Sequence, residues 1–288
     1  MPPAPSHLVE TTASDRFFDY CLQPYEPRRS PVGKLRSESL LWQSLDVGGA
    51  CHPLRTALQT VLRECGRDMT VFGVKHAAGV LSWELYFYDP QKQDVHVTAT
   101  AVQQTVAPYF RIDAKVDESI PYFMFSFNVD PDTPERGVVD DVNLYLASYQ
   151  VQGGRSYKLA GDRMELENFY RFYHPKREIE ELVDRVKSSA FVDFGRVSMA
   201  RVLRPELFAC NRVCVANKRT HDGIYYSGID VDQLLFFFGE YGYPEVVSTF
   251  VRSHRDRFDH LRFDIGIDYR MDATGALVIP KTSYYGTV

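Results

Sequence analysis

The sequence predicts an α+β fold in which a ten-stranded antiparallel β-barrel is surrounded by an outer ring of α-helices. Alternating, aromatic-rich runs occur in five adjacent pairs, and stretches of helical periodicity lie before the first pair and between most of the others. A parallel fold would instead alternate single strands with single helices. The predicted pairs are Thr70–His76 with Val80–Asp89, Tyr122–Asp130 with Val142–Gln150, Arg155–Gly161 with Met164–Tyr173, Phe208–Lys218 with Gly223–Ile229, and His260–Tyr269 with Leu277–Tyr285.

Four stretches have the 3.6-residue spacing of amphipathic helices. Each has one apolar face only, which is typical of helices that lie on the outside of a sheet. The four stretches are 53–65 with Pro53 in the first turn and Gly66 at the end, 95–106 before Pro108, 179–186 after Pro175, and a helix that starts at Asp230 with Gln233 as its capping partner.

The predicted strands have one apolar and one polar face, because successive side chains point to opposite sides. In the second strand Leu81, Trp83, Leu85 and Phe87 alternate with Ser82, Glu84, Tyr86 and Tyr88. If helices cover the apolar face, the polar face lines the lumen, and ten strands are enough to enclose a cavity. The alternative is an open sheet whose polar face is solvated. The many tyrosines on that face and the exposed edges of an open sheet favour the barrel.

The length of 288 residues fits one large domain. The segment 1–48 is rich in Pro and Arg, and we expect it to be irregular and packed on the barrel. We assign 49–288 to a single barrel domain. The hydrophobic content of 44% supports a sizeable core.

Charge and cysteine usage exclude several classes of function. The net charge of −5 argues against general nucleic-acid binding, which needs a basic face. No apolar run has the length of a membrane span, and the N-terminus lacks a signal-peptide pattern. The five cysteines are odd in number and have no framework spacing, so we expect a reducing cytoplasm and buried thiols. We also expect a monomer. The CxxxC spacing of Cys210 and Cys214 is weak evidence for a metal, and we predict no metal site there.

The predicted lumen chemistry combines tyrosine rings with lysines and arginines. Basic groups neutralise a leaving diphosphate, and ring faces stabilise a carbocation and keep water from it. The basic candidates on lumen-facing positions are Lys75, Arg212, Lys218, Arg262 and Lys281. Glu84 is the candidate proton acceptor, and its alternative role is that of an ion-pair partner for a lumen lysine or arginine.

Several segments, in their order along the chain, resemble the ABBA prenyltransferases, and most of all the small cyanobactin-type peptide prenyltransferases. The segments are SWELYFYDP (82–90), FSFNV (125–129), VNLYL (142–146), DGIYYSG (222–228) and the terminal PKTSYYGTV (280–288). The resemblance spans about 70–288. It implies a ten-stranded antiparallel barrel that transfers an isoprenyl group from its diphosphate to a peptide or small aromatic acceptor, with Mg²⁺ as an optional aid.

The resemblance also implies roles for individual residues. Glu84 would be the base, since the first strand, Thr70–His76, has no carboxylate. Tyr285 joins the basic candidates at the diphosphate. The residues that would shield the carbocation are Tyr86, Tyr145 and Tyr225. The sequence departs from the family at Asn128, where Asp is usual, and at Asn143, where Lys is usual.

Two other functions remain open from the sequence. One is a non-catalytic barrel that binds a hydrophobic ligand, which would suit the departures at Asn128 and Asn143. The other is an α+β protein with an open sheet and a partner-binding role. The acceptor, the prenyl chain length and the regiochemistry are not fixed by any of these residues.

Overall fold

The computed structural model describes residues 8–20, 23–65, 70–88, 97–148 and 152–288. Ten strands close into a barrel. They are β1 (Thr70–Ala77), β2 (Val80–Tyr88), β4 (Met124–Val129), β6 (Val142–Ala147), β7 (Gly153–Ala160), β8 (Arg163–Tyr173), β9 (Arg212–Lys218), β10 (Asp222–Ile229), β11 (Phe263–Met271) and β12 (Leu277–Thr287). Their order around the barrel is β1-β12-β11-β10-β9-β8-β7-β6-β4-β2, and each neighbouring pair is antiparallel. The predicted barrel is confirmed, and the open sheet is excluded.

Two short strands, β3 (Arg111–Ile112) and β5 (Val138–Val139), form a separate parallel pair outside the barrel. They were not predicted, since two residues carry no periodicity. Several predicted strands begin too early. Phe208, for example, follows a short 3₁₀ turn at Pro205–Leu207, and β9 starts at Arg212.

The helices pack against the apolar outer faces of the strands. They are α1 (Glu38–Val47), α2 (His52–Cys65), α3 (Ala99–Val106), α4 (Thr133–Arg136), α5 (Ile179–Lys187), α6 (Val231–Glu240), α7 (Glu245–Ser253) and α8 (Arg255–Phe258). The four predicted helices correspond to α2, α3, α5 and α6, and α6 has the expected capping box of Asp230 and Gln233. The ends assigned to Gly66 and Val95 lie outside the described residues. None of the described helices is long and apolar enough to cross a membrane.

The expected full ring of helices is only partly present. Met164 and Phe169 on β8 are each 44% exposed, so helices do not cover this part of the barrel wall. The chain passes directly from β6 to β7 without a helix among its described residues.

The outward direction of the apolar strand faces is confirmed at β2. Trp83 is fully buried, and its Nε1 donates a hydrogen bond to Ser44 Oγ of α1 at 2.9 Å. Phe87 stacks on Phe125 of β4 with a ring-centroid distance of 4.9 Å. These side chains lie between strands and helices, which leaves the alternate side chains of the same strands in the lumen.

The expectation that 1–48 is irregular is wrong for its last part, where α1 occupies Glu38–Val47. The described residues before α1 contain only isolated bridges and do pack on the barrel, as expected. Ser37 Oγ donates to the carbonyl oxygen of Thr287 at the end of β12. Tyr20 lies at one end of the lumen, where its N–H donates to Asp264 Oδ2 at 2.9 Å and its carbonyl accepts a hydrogen bond from Tyr88 at 2.7 Å.

Two inward glycines make room for lumen side chains. A Cβ on Gly73 would lie 2.7 Å from the ring of Tyr285, and a Cβ on Gly266 would lie 2.5 Å from the ring of Tyr225. Both distances are far below van der Waals contact. These glycines therefore allow two tyrosine rings to lie flat against the barrel wall.

We expect Gly266→Ala to disturb the lumen more than the fold. The added methyl group would displace the Tyr225 ring. The residues on either side of Gly266 point outward and keep their packing, so the fold is retained. The expected results are a changed near-ultraviolet circular dichroism spectrum and an unchanged far-ultraviolet spectrum. Gly239→Ala, where a Cβ meets nothing within 4 Å, is the control. An identical near-ultraviolet spectrum for Gly266→Ala would contradict the tight contact.

Candidate functional site

The lumen contains two adjoining cavities of different chemistry. The polar chamber has a volume of about 190 Å³ and is lined by Lys75, Glu84, Lys218 and Lys281, among others. The aromatic chamber has a volume of about 160 Å³. Aromatic residues that line only the aromatic chamber are Tyr20, Tyr88, Phe123, Tyr170, Phe172 and Tyr226.

Four tyrosines line both chambers and form what we call the tyrosine junction: Tyr86, Tyr145, Tyr225 and Tyr285. Adjacent rings lie close together, with centroid distances of 6.2 Å for Tyr86 and Tyr145, 5.9 Å for Tyr86 and Tyr285, and 6.4 Å for Tyr225 and Tyr285. All three tyrosines predicted to shield a cation belong to this junction. Their rings lie where a group would pass from the polar to the aromatic chamber.

Asp268 joins two of the predicted lysines. It lies opposite Lys281 in the β11–β12 register, and its Oδ2 is 2.9 Å from Lys281 Nζ. Its Oδ1 is 2.6 Å from Lys218 Nζ. Burial raises the pKa of Asp268, but the charges of Lys218 and Lys281 and the contact with His221 outweigh it and hold the pKa well below its usual range. Lys218 Nζ also lies 5.5 Å from the centroid of the Tyr225 ring, which links the lysines to the tyrosine junction.

Glu84 is the centre of a second polar network. Its Oε2 is 2.5 Å from Lys75 Nζ and accepts a hydrogen bond from Tyr86 at 2.6 Å. Its Oε1 accepts from Ser126. Burial raises the pKa of Glu84, but the charge and hydrogen bond of Lys75 and the hydroxyl donors outweigh it and lower the pKa to about 2. Glu84 is therefore ionised and braces both Lys75 and Tyr86.

Positive charge is crowded in the polar chamber. Burial lowers the pKa of Lys75, and the charges of Lys281 and Lys218 lower it further against the opposing effect of Glu84. Three lysines therefore lie within electrostatic range of one another in a buried cavity. An anion that enters the chamber would relieve this repulsion, so the arrangement suits a multiply charged anion.

The two departures from the family pattern lie within this chamber. Asn128 Oδ1 accepts a hydrogen bond from Lys75 Nζ. Asn143 Nδ2 lies 3.3 Å from Glu84 Oε1 and donates to it. Both amides therefore keep a polar contact with the Lys75–Glu84 pair.

The structure does not bring Arg212 and Arg262 together with the lysines. Arg212 is six residues from Lys218 on the same face of β9, which corresponds to about 20 Å along the strand. It lines a separate cavity with Glu178. The Arg262 guanidinium contacts the carbonyl oxygen of Gly228 at 3.5 Å, at the same end of the barrel as Arg212. The predicted convergence of these arginines on one site with the lysines is wrong.

Several functional candidates were missed from the sequence. Lys158 lies in the polar chamber with its Nζ 2.7 Å from Asp141, and it extends the set of cations there. Strand alternation on β7 contained this signal, because Lys158 is two residues from Ser156 and both line the chamber. Tyr20 belongs to a segment without periodicity, so nothing in the sequence placed it in the lumen.

The cysteines show a mixed outcome among the described residues. Cys65 and Cys214 are buried free thiols, as expected, whereas Cys51 is exposed and Cys210 is half-buried. Cys214 lines the aromatic chamber. Cys210 precedes β9, so the two do not share a strand. Cys21 lies outside the described residues.

A second buried carboxyl group lies at the aromatic end of the lumen. Asp264 is 5% exposed and lines the aromatic chamber. Burial and the nearby charge of Asp19 raise the pKa of Asp264 to about 8. Asp264 is therefore largely protonated at neutral pH, whereas Glu84 and Asp268 are ionised.

This raised pKa predicts that Asp264 costs stability as the pH rises. Between about pH 4 and pH 8 the unfolded chain has lost the proton of Asp264 and the folded chain keeps it, so the free energy of unfolding falls with increasing pH. We expect Asp264→Asn to remove this slope, which is at most about 1.4 kcal/mol per pH unit. Urea unfolding of both proteins at pH 5 and pH 8 measures it. A difference in stability that is the same at both values would contradict the raised pKa.

The donor set of the polar chamber does not form a ready Mg²⁺ cage. Glu84, Asp141 and Asp268 are each paired with a lysine, and the described residues contain no group of three or more His, Cys, Asp or Glu side chains placed to hold a metal. Mg²⁺ binds proteins largely through carboxylates together with substrate phosphates. Any Mg²⁺ here would depend on the oxygen atoms of the bound anion.

Fold and site together define a closed antiparallel barrel with a polar chamber of paired lysines and carboxylates, an aromatic chamber, and the tyrosine junction between them. A scan against models of known protein families finds no match, and a search of curated proteins finds no significant relative. The geometry of the lumen therefore carries the functional argument.

Proposed function

We propose that this protein is a prenyltransferase that moves a dimethylallyl or geranyl group from its diphosphate to a nucleophilic side chain of a peptide or to a small aromatic natural product. The observation that carries the proposal is the tyrosine junction between the lysine-lined chamber and the aromatic chamber. An isoprenyl diphosphate has the same two parts, a polyanion and an apolar chain, joined at the carbon that reacts. Its reactive carbon would lie against the rings.

The residues divide the reaction between them. Lys75, Lys218 and Lys281 would bind the diphosphate and stabilise its charge as the bond between C1 and oxygen breaks. The rings of the tyrosine junction would face the allylic cation and exclude water from it. The electron pair of the acceptor then forms the new bond to C1, and the acceptor loses one proton.

Two groups are candidates to accept that proton. Glu84 lies beside the tyrosine junction through its hydrogen bond with Tyr86, but its pKa of about 2 makes it a weak base. The released diphosphate is the second candidate. We assign Glu84 primarily to bracing Lys75 and Tyr86, with proton transfer to Glu84 as the role that its substitution tests.

A non-catalytic barrel that binds a hydrophobic ligand is the second candidate function. It is favoured by the ion pairs of the polar chamber, because Lys218 and Lys281 already share Asp268 and Lys75 already pairs with Glu84. A barrel of this kind would bind isoprenoid alcohols as tightly as the diphosphates. A prenyltransferase would prefer the diphosphates strongly.

A transfer assay tests the proposal. The protein is incubated with dimethylallyl or geranyl diphosphate, Mg²⁺ and a mixture of peptides that covers all nucleophilic side chains, and the products are read by mass spectrometry. We expect one added prenyl group on a subset of peptides. Release of diphosphate without any alkylated product, or no reaction with either donor, would contradict transfer to these acceptors.

Arg212 offers a matched test of which cations bind the donor. Because it lies about 20 Å along β9 from Lys218, we expect Arg212→Ala to change the calorimetric affinity for dimethylallyl diphosphate less than twofold. Lys218→Ala, on the same strand face, is the comparison and should weaken binding about tenfold or more. A large loss in Arg212→Ala would move the diphosphate site to the other end of the barrel.

A further inference from the structure

We propose that Asp264 and Ser227 form an acceptor subsite in the aromatic chamber that holds a cationic N–H side chain, with a guanidinium group as the best fit. That its occupant is the acceptor rests on the proposed function. Binding of the cation itself does not, and can be measured without any transfer reaction.

Two buried polar atoms of this subsite have unmet hydrogen-bonding capacity. Asp264 and Ser227 lie opposite each other on β11 and β10, are 5% and 6% exposed, and both line the aromatic chamber. Asp264 Oδ2 accepts the N–H of Tyr20. Asp264 Oδ1 and Ser227 Oγ have no well-formed hydrogen bond among the described residues, although Ser227 and the backbone of Gly228 lie close enough to the carboxyl group to lower its pKa. Buried polar atoms are rarely left in this state, so the pair is suited to a donor from a bound ligand.

The charged groups around Asp264 favour a cationic occupant. Asp19, which is also buried, lies near enough for its charge to act on Asp264. No lysine, arginine or histidine in the described part of the chain forms an ion pair with Asp264. Arg212 is the cross-strand neighbour of Ser227 but lines a separate cavity. The Arg262 guanidinium contacts the carbonyl oxygen of Gly228. A cation with N–H donors would take the place of the proton on Asp264, which would be released as the cation binds, and would donate to the free oxygen. A neutral phenol or indole would donate a hydrogen bond to the carboxyl group but would not balance a negative charge there.

The aromatic rings beside Asp264 favour a flat occupant. The rings of Tyr20 and Tyr285 lie 4.8 Å apart by centroid, and both line the chamber beside Asp264. Tyr285 is the cross-strand neighbour of Asp264 and a member of the tyrosine junction. Flat aromatic faces next to a carboxyl group suit a planar, delocalised cation, which stacks on rings better than a compact ammonium group does.

The distance between Asp264 and Asp268 also fits a guanidinium group. Asp264 and Asp268 occupy the same face of β11 four residues apart, which corresponds to about 13 Å. The donor's reactive carbon would lie between them, beside the tyrosine junction. A guanidinium group has several nitrogens, so one can be held by Asp264 while another points towards that carbon. An ammonium group has a single nitrogen, which cannot be held and react at once.

Calorimetry with small probes tests the subsite. The probes are N-acetyl-arginine methylamide and its neutral isostere, N-acetyl-citrulline methylamide, titrated into the protein saturated with an unreactive dimethylallyl thiolodiphosphate. We expect the wild-type protein to bind the arginine probe at least tenfold more tightly than the citrulline probe. Asp264→Asn should abolish this preference, Ser227→Ala should reduce it several-fold, and Asp256→Asn at an exposed site should leave it unchanged.

The outcomes separate the subsite from the proposed function. Equal affinity for both probes in the wild-type protein, or an unchanged preference in a folded Asp264→Asn, would overturn the subsite. The wild-type comparison needs no variant, so it holds even if a substitution disturbs folding. A protein that fails to bind the thiolodiphosphate but still prefers the arginine probe would contradict the prenyltransferase proposal and leave the cation subsite standing.

Discussion

Removal of the two lysines that share Asp268 is expected to weaken binding of dimethylallyl diphosphate by at least about a hundredfold. Each charge-assisted contact to a diphosphate contributes about 1.5–3 kcal/mol, and Lys218 and Lys281 each provide one. The double variant Lys218→Gln with Lys281→Gln would leave Asp268 buried without a cation, which destabilises a protein strongly. Asp268→Asn is therefore added to both the variant and its reference protein.

Isothermal titration calorimetry of the two proteins measures this effect. The reference, Asp268→Asn alone, keeps both lysines and should bind the donor at least as well as the wild-type protein, because the competing carboxylate has gone. Higher salt should weaken donor binding by the reference more than by the triple variant, in which Lys75 is the remaining lysine of the proposed donor site. Equal affinities for the diphosphate in the two proteins would remove Lys218 and Lys281 from the donor site.

The second large effect is expected at Glu84. If Glu84 takes the proton of the acceptor, Glu84→Gln should lower turnover by roughly 10²–10⁴ and leave donor affinity unchanged. If Glu84 instead braces Lys75 and Tyr86, the same change should weaken donor binding as well, because Lys75 loses its partner at 2.5 Å. Single-turnover rates together with calorimetric affinities distinguish these outcomes.

A matched control for Glu84→Gln is Glu167→Gln. Glu167 also lines the polar chamber but makes no contact with the tyrosine junction among the hydrogen bonds and ion pairs of the described residues. It should change both quantities little. Normal binding and normal turnover in Glu84→Gln would show that Glu84 is neither base nor brace, and would leave the released diphosphate or water as the proton acceptor.

Most of the barrel could be predicted from the sequence because strand alternation is a strong local signal. The apolar residues from Leu81 to Phe87 recur at every second position, and the structure places them outside. Helix α1 was missed because its buried residues include polar ones such as Ser39 and Gln43, which obscure the apolar stripe. The gap in the helical ring beside β8 has no sequence signature that we recognised.

The sequence predicted which side chains of the site face the lumen, but not at which height along the barrel each one lies. Alternation identifies the face of a strand, so it correctly placed Lys75, Lys218, Lys281 and Tyr225 in the lumen. It does not give the height of a residue along the barrel axis, which depends on the register between strands. Arg212 and Lys218 share a face of β9, and the register places Arg212 opposite Ser227 and Lys218 opposite Asn168.

Register also explains why the acidic residues of β11 were not assigned roles. Asp264 and Asp268 both point inward by alternation, yet one faces a ring of tyrosines and the other faces two lysines. Their pKa values consequently shift in opposite directions. These environments arise from strands that are distant in the sequence and meet only when the barrel closes.

The central claim is that the donor lies across the tyrosine junction, with its diphosphate in the polar chamber and its chain in the aromatic chamber. A crystal structure with an unreactive dimethylallyl thiolodiphosphate tests it most directly. We predict diphosphate oxygens within hydrogen-bond distance of Lys75, Lys218 and Lys281, and the isoprenyl carbons in contact with Tyr225 and Tyr285. A diphosphate bound at Arg212 or on the outer surface, or a lumen that holds only water at saturating analogue, would contradict the account.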